Sequence, residues 1–296
     1  AAPLPGFDFT LPLLGRFTYQ GPIPMVVADL PIGLLFILAI SSLAVYGIVL
    51  AGWSSASKYS MLGGIRSSAQ MISYEIALGL SVITVFILSG NVTLSEVVAA
   101  QQRTVWFVLA LTVAFVLFLV SAFAETNRLP FDLPEAEAEL VTGYHTEYSA
   151  MKFSMFYVAE YAAILTMSAL IATLFFGGWD IPFTRWDEGP PSVARCAATL
   201  LAFGTKTGFF LLFYIWVRWT LPRFRFDQLM ELGWKVMLPV ALGYITVIGL
   251  VVWGAERVGV ALAPVLIGLN LVATAGLLWG LDRGRLLAGA RARRAA

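Results

Sequence analysis

VWFVLALTVAFVLFLVSAFAE (residues 105–125) runs directly into TNRLPFDLPEAEAELVTGYHTEYSAM (126–151), and KFSMFYVAEYAAILTMSALIATLFF (152–176) follows. Two apolar runs of membrane-spanning length thus flank a segment dense in carboxylates. Between Glu125 and Glu147 lie six of the chain's 18 acids: Glu125, Asp132, Glu135, Glu137, Glu139 and Glu147. One cation, Arg128, and the only histidine, His145, accompany them. The apolar runs decide the fold. Lipid gives backbone N–H and C=O groups no partners, so long apolar runs must be helices.

Working outward, the composition agrees. Of 296 residues, 59% are hydrophobic and 12% charged, against roughly 25% charged in soluble domains. A bilayer core of about 30 Å takes roughly 20 apolar residues per helix. Seven stretches qualify, at about 30–51, 70–90, 105–125, 152–176, 197–220, 235–254 and 259–281. No ten-residue alternation suggests a barrel. The expected fold is therefore all-α, a polytopic membrane protein with about seven transmembrane helices. Residues 1–29 read as a loop, 30–281 as one helical membrane domain, and 282–296 as a basic tail. Connections fall at about 52–69, 126–151 and 221–234. The glycine pairs at 62–64 (LGG) and 176–178 (FGG) read as helix ends or turns. Tryptophans near span ends read as interfacial anchors.

Lys and Arg set the expected orientation. The side holding 52–69 and the acidic loop collects 13 cations, the other side 5, and Lys206 lies inside a span. The acidic loop and the basic tail are thus expected on the cytoplasmic, or matrix-like, side, with residues 1–29 on the other side. No basic n-region precedes an apolar core, so no signal peptide is expected. Net charge of +1 gives no bulk attraction to nucleic acid. A lone cysteine, Cys196, excludes an internal disulfide and argues against an iron–sulfur cluster or thiolate zinc site within the chain.

Several residues are positioned for proton chemistry. Pro130 and Pro134 stop the preceding helix from continuing. After Pro134 a short helix would put Glu135 and Glu139 on one face, with Glu137 pointing away. A solvated acidic loop is the plain alternative. Yet Phe131, Leu133, Leu140, Val141, Tyr144 and Tyr148 interleave apolar surface with the acids, so the loop should fold against something. Carboxylates gathered partly out of water resist joint ionisation, which suits proton storage near neutral pH. Glu75 lies inside the second span, where an acid costs roughly 2.5–3.5 kcal/mol and is a functional candidate by default. A structural hydrogen bond to a neighbouring helix is the alternative. Glu160 lies two turns into the fourth span and Lys206 within the fifth, and a buried lysine–carboxylate pair would account for both. His145 has no second histidine or HExxH pattern, and no glycine-rich phosphate loop is present.

Four blocks resemble a known family. GWSSASKYSMLGGIRSSAQMISYEI (52–76), the acidic block with its flanks (124–153), TLFFGGW (173–179) and WVRWTLPRFRFDQLMELGWK (216–235) are similar to the H subunit of bacterial NADH:quinone oxidoreductase, respiratory complex I. Mitochondrial NADH dehydrogenase subunit one is its counterpart. The likeness runs collinearly from about residue 30 to 254, and PFDLPEAE…ELVTGYHTEYS is highly specific. The resemblance implies a position at the elbow of the complex. Such a protein forms a quinone chamber with peripheral partners and starts a buried acidic route toward small membrane subunits and the antiporter-like arm. Quinone is implied as substrate, ubiquinone or menaquinone being left open. NADH, FMN and iron–sulfur clusters belong to partner subunits, and no residue of this chain is expected to be catalytic or to bind metal. Matching by motif places Arg128, Phe131, Asp132, Glu135, Glu137 and Glu139 at the chamber and its loop, with Lys58 and Arg66 in the preceding connection. Glu75, Glu125 and Glu147 match the relay; Glu160 and Lys206 join it as buried ionisable groups. The family has two further helices and an amphipathic helix before the span at 30–51. The resemblance therefore implies the C-terminal part of a nine-helix protein, and it makes the last helix an addition found in some members. Ser42 stands where some relatives carry a glutamate.

A quinone-independent membrane subunit of an energy-converting hydrogenase or formate hydrogenlyase shares the fold and the acidic loop. The PFDLPEAE block favours complex I. A stand-alone secondary transporter would show repeats or paired broken helices, and the sequence shows neither. A purely structural anchor gains nothing from an acid at Glu75.

Overall fold

The computed structural model describes residues 8–11, 15–18, 30–132, 143–182, 184, 189–190 and 192–276. Near the start, a two-stranded antiparallel ribbon pairs β1 (Asp8–Leu11) with β2 (Gly15–Thr18), with Asp8 opposite Thr18. The expectation of a plain loop over 1–29 did not foresee this pairing.

The rest is helical. The helices are α1 (Gly33–Ser54), α2 (Lys58–Ser89), α3 (Leu94–Arg103), α4 (Phe107–Ala110), α5 (Thr112–Glu125), α6 (Ala150–Phe175), α7 (Val193–Thr220), α8 (Phe226–Glu231), α9 (Leu238–Val258) and α10 (Leu262–Gly276). A π-helical turn, Leu232–Met237, joins α8 to α9 in one continuous rod. Among the described residues, five helices are long and apolar enough to cross a membrane, and α5 and α10 are shorter apolar ones. The seven apolar stretches thus correspond to α1, α2, α4 with α5, α6, α7, α9 and α10.

Two boundaries differ from expectation. Residues 58–69 are helical, so α2 starts three turns before the expected position and only residues 55–57 separate it from α1. The pair Gly63–Gly64 therefore sits inside a helix. A Cβ on Gly64 would lie 3.2 Å from the Ile48 carbonyl oxygen, and one on Gly63 would lie 2.9 Å from the Tyr144 backbone nitrogen. Small residues let helix backbones approach closely, which is why this polar, glycine-containing stretch is helix and not loop. The third apolar stretch is interrupted at Leu111, between α4 and α5. FGG, by contrast, does end a helix. Phe176 caps α6, and Gly177 and Gly178 take φ values of 72° and 55°, which suit glycine.

α2 is the central element, packing on α1, α5 and α9. Its Tyr74 is fully buried and donates from its hydroxyl to the Leu229 carbonyl at 2.9 Å. α6 packs on α7 and α5, with Phe115, Phe175, Phe176 and Phe210 meeting edge to face. Asn270 fastens α10: its amide donates to Leu266 O at 2.9 Å and to Ala110 O, and Tyr244 donates to its side-chain oxygen at 2.7 Å. The outer face of α7 presents Leu201, Phe209, Leu212, Ile215 and Trp219 outward, as a lipid-facing helix does.

Helix directions put the α1–α2, α5–α6 and α7–α8 connections at one end of the bundle and the α2–α3, α6–α7 and α9–α10 connections at the opposite end. The functional candidates divide between these ends.

Candidate functional site

The first residues of the acidic block are clamped by α2. α5 ends at Glu125, and the chain turns through Thr126 and Asn127, the latter with φ 50°. The Gln70 side-chain amide donates to Ala124 O at 2.9 Å, Phe131 O at 2.8 Å and Asn127 Oδ1 at 3.2 Å. Asn127 donates in turn to Ser67 Oγ at 3.2 Å. One buried glutamine thus pins both limbs of AETNRLPF. Phe131, buried, stacks on Phe224 with ring centroids 5.6 Å apart and packs near Tyr74. Asp132 pairs with Arg223 at 3.1 Å. The returning chain, Gly143–His145, is buried on α1 and α2, and the Tyr148 hydroxyl donates to Ala51 O at 3.0 Å. Where described, the loop folds against the bundle, as its apolar residues suggested. Glu135, Glu137 and Glu139 lie outside the described residues.

Behind this clamp three helices each contribute a carboxylate. Glu125, at the end of α5, is 6% exposed. Glu75, on α2, is close enough to act on its charge. Ser42 of α1 donates to Glu75 Oε1, and the neighbouring Ser41 hydroxyl donates to Leu38 O at 2.9 Å. Tyr214 of α7 is buried and stacks on Phe123 with ring centroids 4.0 Å apart. Glu160, on α6, accepts a contact from Arg128 Nε at 2.7 Å, and the guanidinium lies 4.8 Å from the centre of the Tyr161 ring. Glu125 and Glu160 both line a cavity of about 490 Å³ between α1, α2, α5 and α6. Its remaining wall is mostly apolar, built from residues such as Phe36, Ile40, Ala163 and Met167. Glu125 Oε2 is buried and has no hydrogen-bond partner among the described residues.

The other expected site residues fall elsewhere. Glu147 is exposed. Lys58 is exposed beside Tyr59, and Arg66 lies 5.5 Å from the Phe226 ring centre. Lys206 does not join Glu160. The partner of Glu160 is Arg128, while the Lys206 ammonium donates to Phe176 O at 2.7 Å, Gly178 O at 3.0 Å and Asp180 O at 2.6 Å. Sixteen helical residues separate Glu160 from Phe176, roughly 24 Å at 1.5 Å each. Lys206 therefore sits at the carbonyl end of α6, where a cation is favoured. Sequence reasoning missed Gln70, Asn127 and the contact of Ser42 with Glu75. Gln70 alone carried a signal, being an amide in a span, where polar groups tie helices together.

The fold and site define a polytopic helical membrane protein with buried carboxylates beneath the two described ends of an acidic loop. Similarity to known proteins names the family: the NADH dehydrogenase family model matches residues 9–249, and the chain belongs to that family. Subunit 8 of the NADH-quinone oxidoreductase of Rhodothermus marinus is 52% identical over 235 residues, covering 76% of this chain and 69% of the relative. The H subunit of the Rhodospirillum centenum enzyme is 51% identical over 225 residues, covering 75% and 64%. Its namesake from Protochlamydia amoebophila is 48% identical over 236 residues, covering 80% and 67%. The matched part thus spans about two thirds of these relatives' own length.

Proposed function

We propose that this chain serves as the H-type membrane component of a proton-translocating NADH:quinone oxidoreductase in a bacterial plasma membrane, helping to form the quinone chamber and coupling quinone reduction to proton movement. In the whole complex, NADH is oxidised and two electrons reach the quinone through partner subunits. The quinone takes two protons as it becomes quinol. This chain supplies no electron carrier. Its part is to wall the chamber and to answer the change in charge.

The observation that carries this reading is that Glu125 and Glu160 line one largely apolar cavity within the bundle, while Glu75 is held on Ser42 of α1, another wall of that cavity. Arg128 is the cation that the described residues bring to them. Unpaired buried charge is costly, and protons held on the acids remove that cost. Charges in such an interior are weakly screened, so a change at one acid is felt at the next. The clamp through Gln70 and Phe131 ties the loop's base to α5, next to Glu125. A change in the loop is thereby delivered to the cluster. Phe131, Asp132, Arg128 and the 135–139 acids form the chamber side of this route, Lys58 and Arg66 flank it, and Glu75, Glu125 and Glu160 form the buried side, with exposed Glu147 at its margin. Lys206 acts as a cap that fixes the far end of α6. The basic tail lies on the cytoplasmic side, with the acidic loop.

The test is Glu75→Gln and Glu160→Gln in the intact complex, read as NADH:quinone turnover and proton translocation. NADH oxidation by an artificial acceptor that bypasses quinone is the control. Normal control activity with reduced turnover or pumping supports the reading. Wild-type turnover and proton stoichiometry in both variants refutes it.

A further inference from the structure

The third apolar stretch does not run as one helix, and α10 is fastened to the place where it breaks. Leu111, between α4 and α5, leaves the helical region with φ −132° and ψ 45°. A continuous helix would pair the Ala110 carbonyl with the Ala114 N–H. Here that oxygen accepts from the side-chain amide of Asn270. Asn270 is 1% exposed and is fixed from two sides: its amide also donates to Leu266 O of α10, and its oxygen accepts from the Tyr244 hydroxyl of α9. Thr112 makes a similar repair from within the span, its hydroxyl donating to Val108 O at 2.9 Å. Broken membrane helices are tolerated where neighbours take up the freed backbone groups. Thr112 travels with α5, whereas Asn270 is held by other helices. The start of α4 is held too, since Phe107 N donates to Gln101 Oε1 at 3.3 Å. The four residues of α4 are therefore fixed at both ends, and α5 continues from them through Leu111.

We infer that Asn270 is a positioning residue: by holding Ala110 it sets the direction in which α5 leaves the break, and so where Glu125 meets the cavity shared with Glu160. α5 has 14 residues from Thr112 to Glu125, a lever of about 21 Å at 1.5 Å per residue. A tilt of about 5° at Leu111 moves the far end of such a lever by about 2 Å. A misplacement of about 1 Å, made far from a reaction, can cost about 10²-fold in rate. α2 and α6 hold α5 along its sides; Asn270 holds the end from which it starts. An apolar side chain in place of Asn270 leaves the Ala110 oxygen and the Tyr244 hydroxyl without partners in an apolar interior, which is costly. The nearest relief for Ala110 is the Ala114 N–H, which is reached by closing the break toward a regular helix and swinging α5. On this account α10 braces the broken span, and Asn270 acts through Glu125.

This rests on the relay reading above, and the experiment separates the two. Asn270→Leu, Leu266→Ala, Glu125→Gln and the Asn270→Leu/Glu125→Gln pair are purified as intact complexes. Leu266, fully buried one turn earlier on α10, is the packing control, since its truncation loosens α10 and keeps the Ala110 bond. The readouts are quinone-dependent turnover, artificial-acceptor activity, melting temperature and the carboxyl C=O band of the redox-induced infrared difference spectrum that Glu125→Gln removes. Asn270→Leu is expected to lose turnover severalfold and to shift that band, with normal artificial-acceptor activity, and to add no further loss on top of Glu125→Gln. Leu266→Ala is expected to lower the melting temperature and leave the band in place. Should Asn270→Leu not assemble, Tyr244→Phe frees the Asn270 oxygen and keeps the apolar packing, and the same band is expected to shift by less. With Glu125→Gln impaired, a wild-type band and turnover in the Asn270 or Tyr244 variant, an equal band shift in Leu266→Ala, or additive losses in the pair overturns the positioning role and leaves the relay standing. Wild-type behaviour of Glu125→Gln removes the relay and the positioning role with it.

Discussion

The two ends of this bundle handle buried polarity in opposite ways. At the end away from the acidic loop, Lys206 is surrounded by three carbonyl oxygens and lies 4.6 Å from the centre of the Trp106 ring. Gln101 donates to Thr173 O at 2.9 Å and accepts from Gly177 N at 2.9 Å and Phe107 N at 3.3 Å. The Trp106 indole donates to Asp180 Oδ2 at 2.8 Å. Most of these partners are backbone groups and amides, which do not titrate. At the acidic-loop end, beside the Gln70 and Asn127 amides and Arg128, the buried groups include carboxyls, which titrate, and Glu125 and Glu160 line a cavity. The first arrangement fixes helix ends. The second holds groups able to change charge, as the proposed relay needs. Burial of a charged group alone does not separate them; the nature of its partner does.

The comparison can be strained at several points. The largest expected effect is at Arg128→Met. Removing one member of a buried ion pair typically costs about 3–5 kcal/mol because the other charge is left uncompensated. Arg128→Met should sharply lower the yield and thermal stability of the complex, and Glu160→Gln in the same chain should recover much of the loss. No recovery would mean that Arg128 does something besides hold Glu160. Lys206→Met comes next. Hydrogen bonds to a charged group contribute about 1.5–3 kcal/mol each, so detergent-solubilised complex should melt at lower temperature. Gly63→Ala would press a methyl against the backbone of Gly143 and Tyr144. Such overpacking costs about 1–3 kcal/mol, and protease cleavage within the acidic block should speed up if that contact holds the loop down. Trp106→Phe is the mildest. It removes one neutral donor to the Asp180 carboxylate, worth about 1.5 kcal/mol at the low end for a charged partner, and should lower the melting temperature modestly while leaving proton stoichiometry intact.

How much of this was readable from residues varied with the physics involved. The seven apolar stretches were, because a bilayer makes length and hydropathy decisive. The start of α2 was not. GGIRSSAQ is polar and glycine-bearing, which ordinarily marks a loop, but its small residues serve close helix packing against Ile48 and the Gly143–Tyr144 backbone. Glu160 was legible as a buried acid needing a cation, yet nothing local identified Arg128, which lies 32 positions earlier on another element. Lys206 shared the same signal and proved to be a cap, because carbonyls at a helix end match an ammonium as well as a carboxylate does. Ser42 carried no local sign of its contact with Glu75, since a hydroxyl within an apolar helix usually bonds its own backbone.

The most direct test of the account is proton translocation per electron in Glu125→Gln, measured beside Trp106→Phe in complexes matched for assembly and artificial-acceptor activity. The account predicts that Glu125→Gln loses about tenfold in quinone-dependent turnover, equivalent to ~1.4 kcal/mol on the barrier, or loses pumping, while Trp106→Phe keeps both. Wild-type turnover and stoichiometry in Glu125→Gln, or an equal loss in Trp106→Phe, would contradict the division between a switching end and a fixed one.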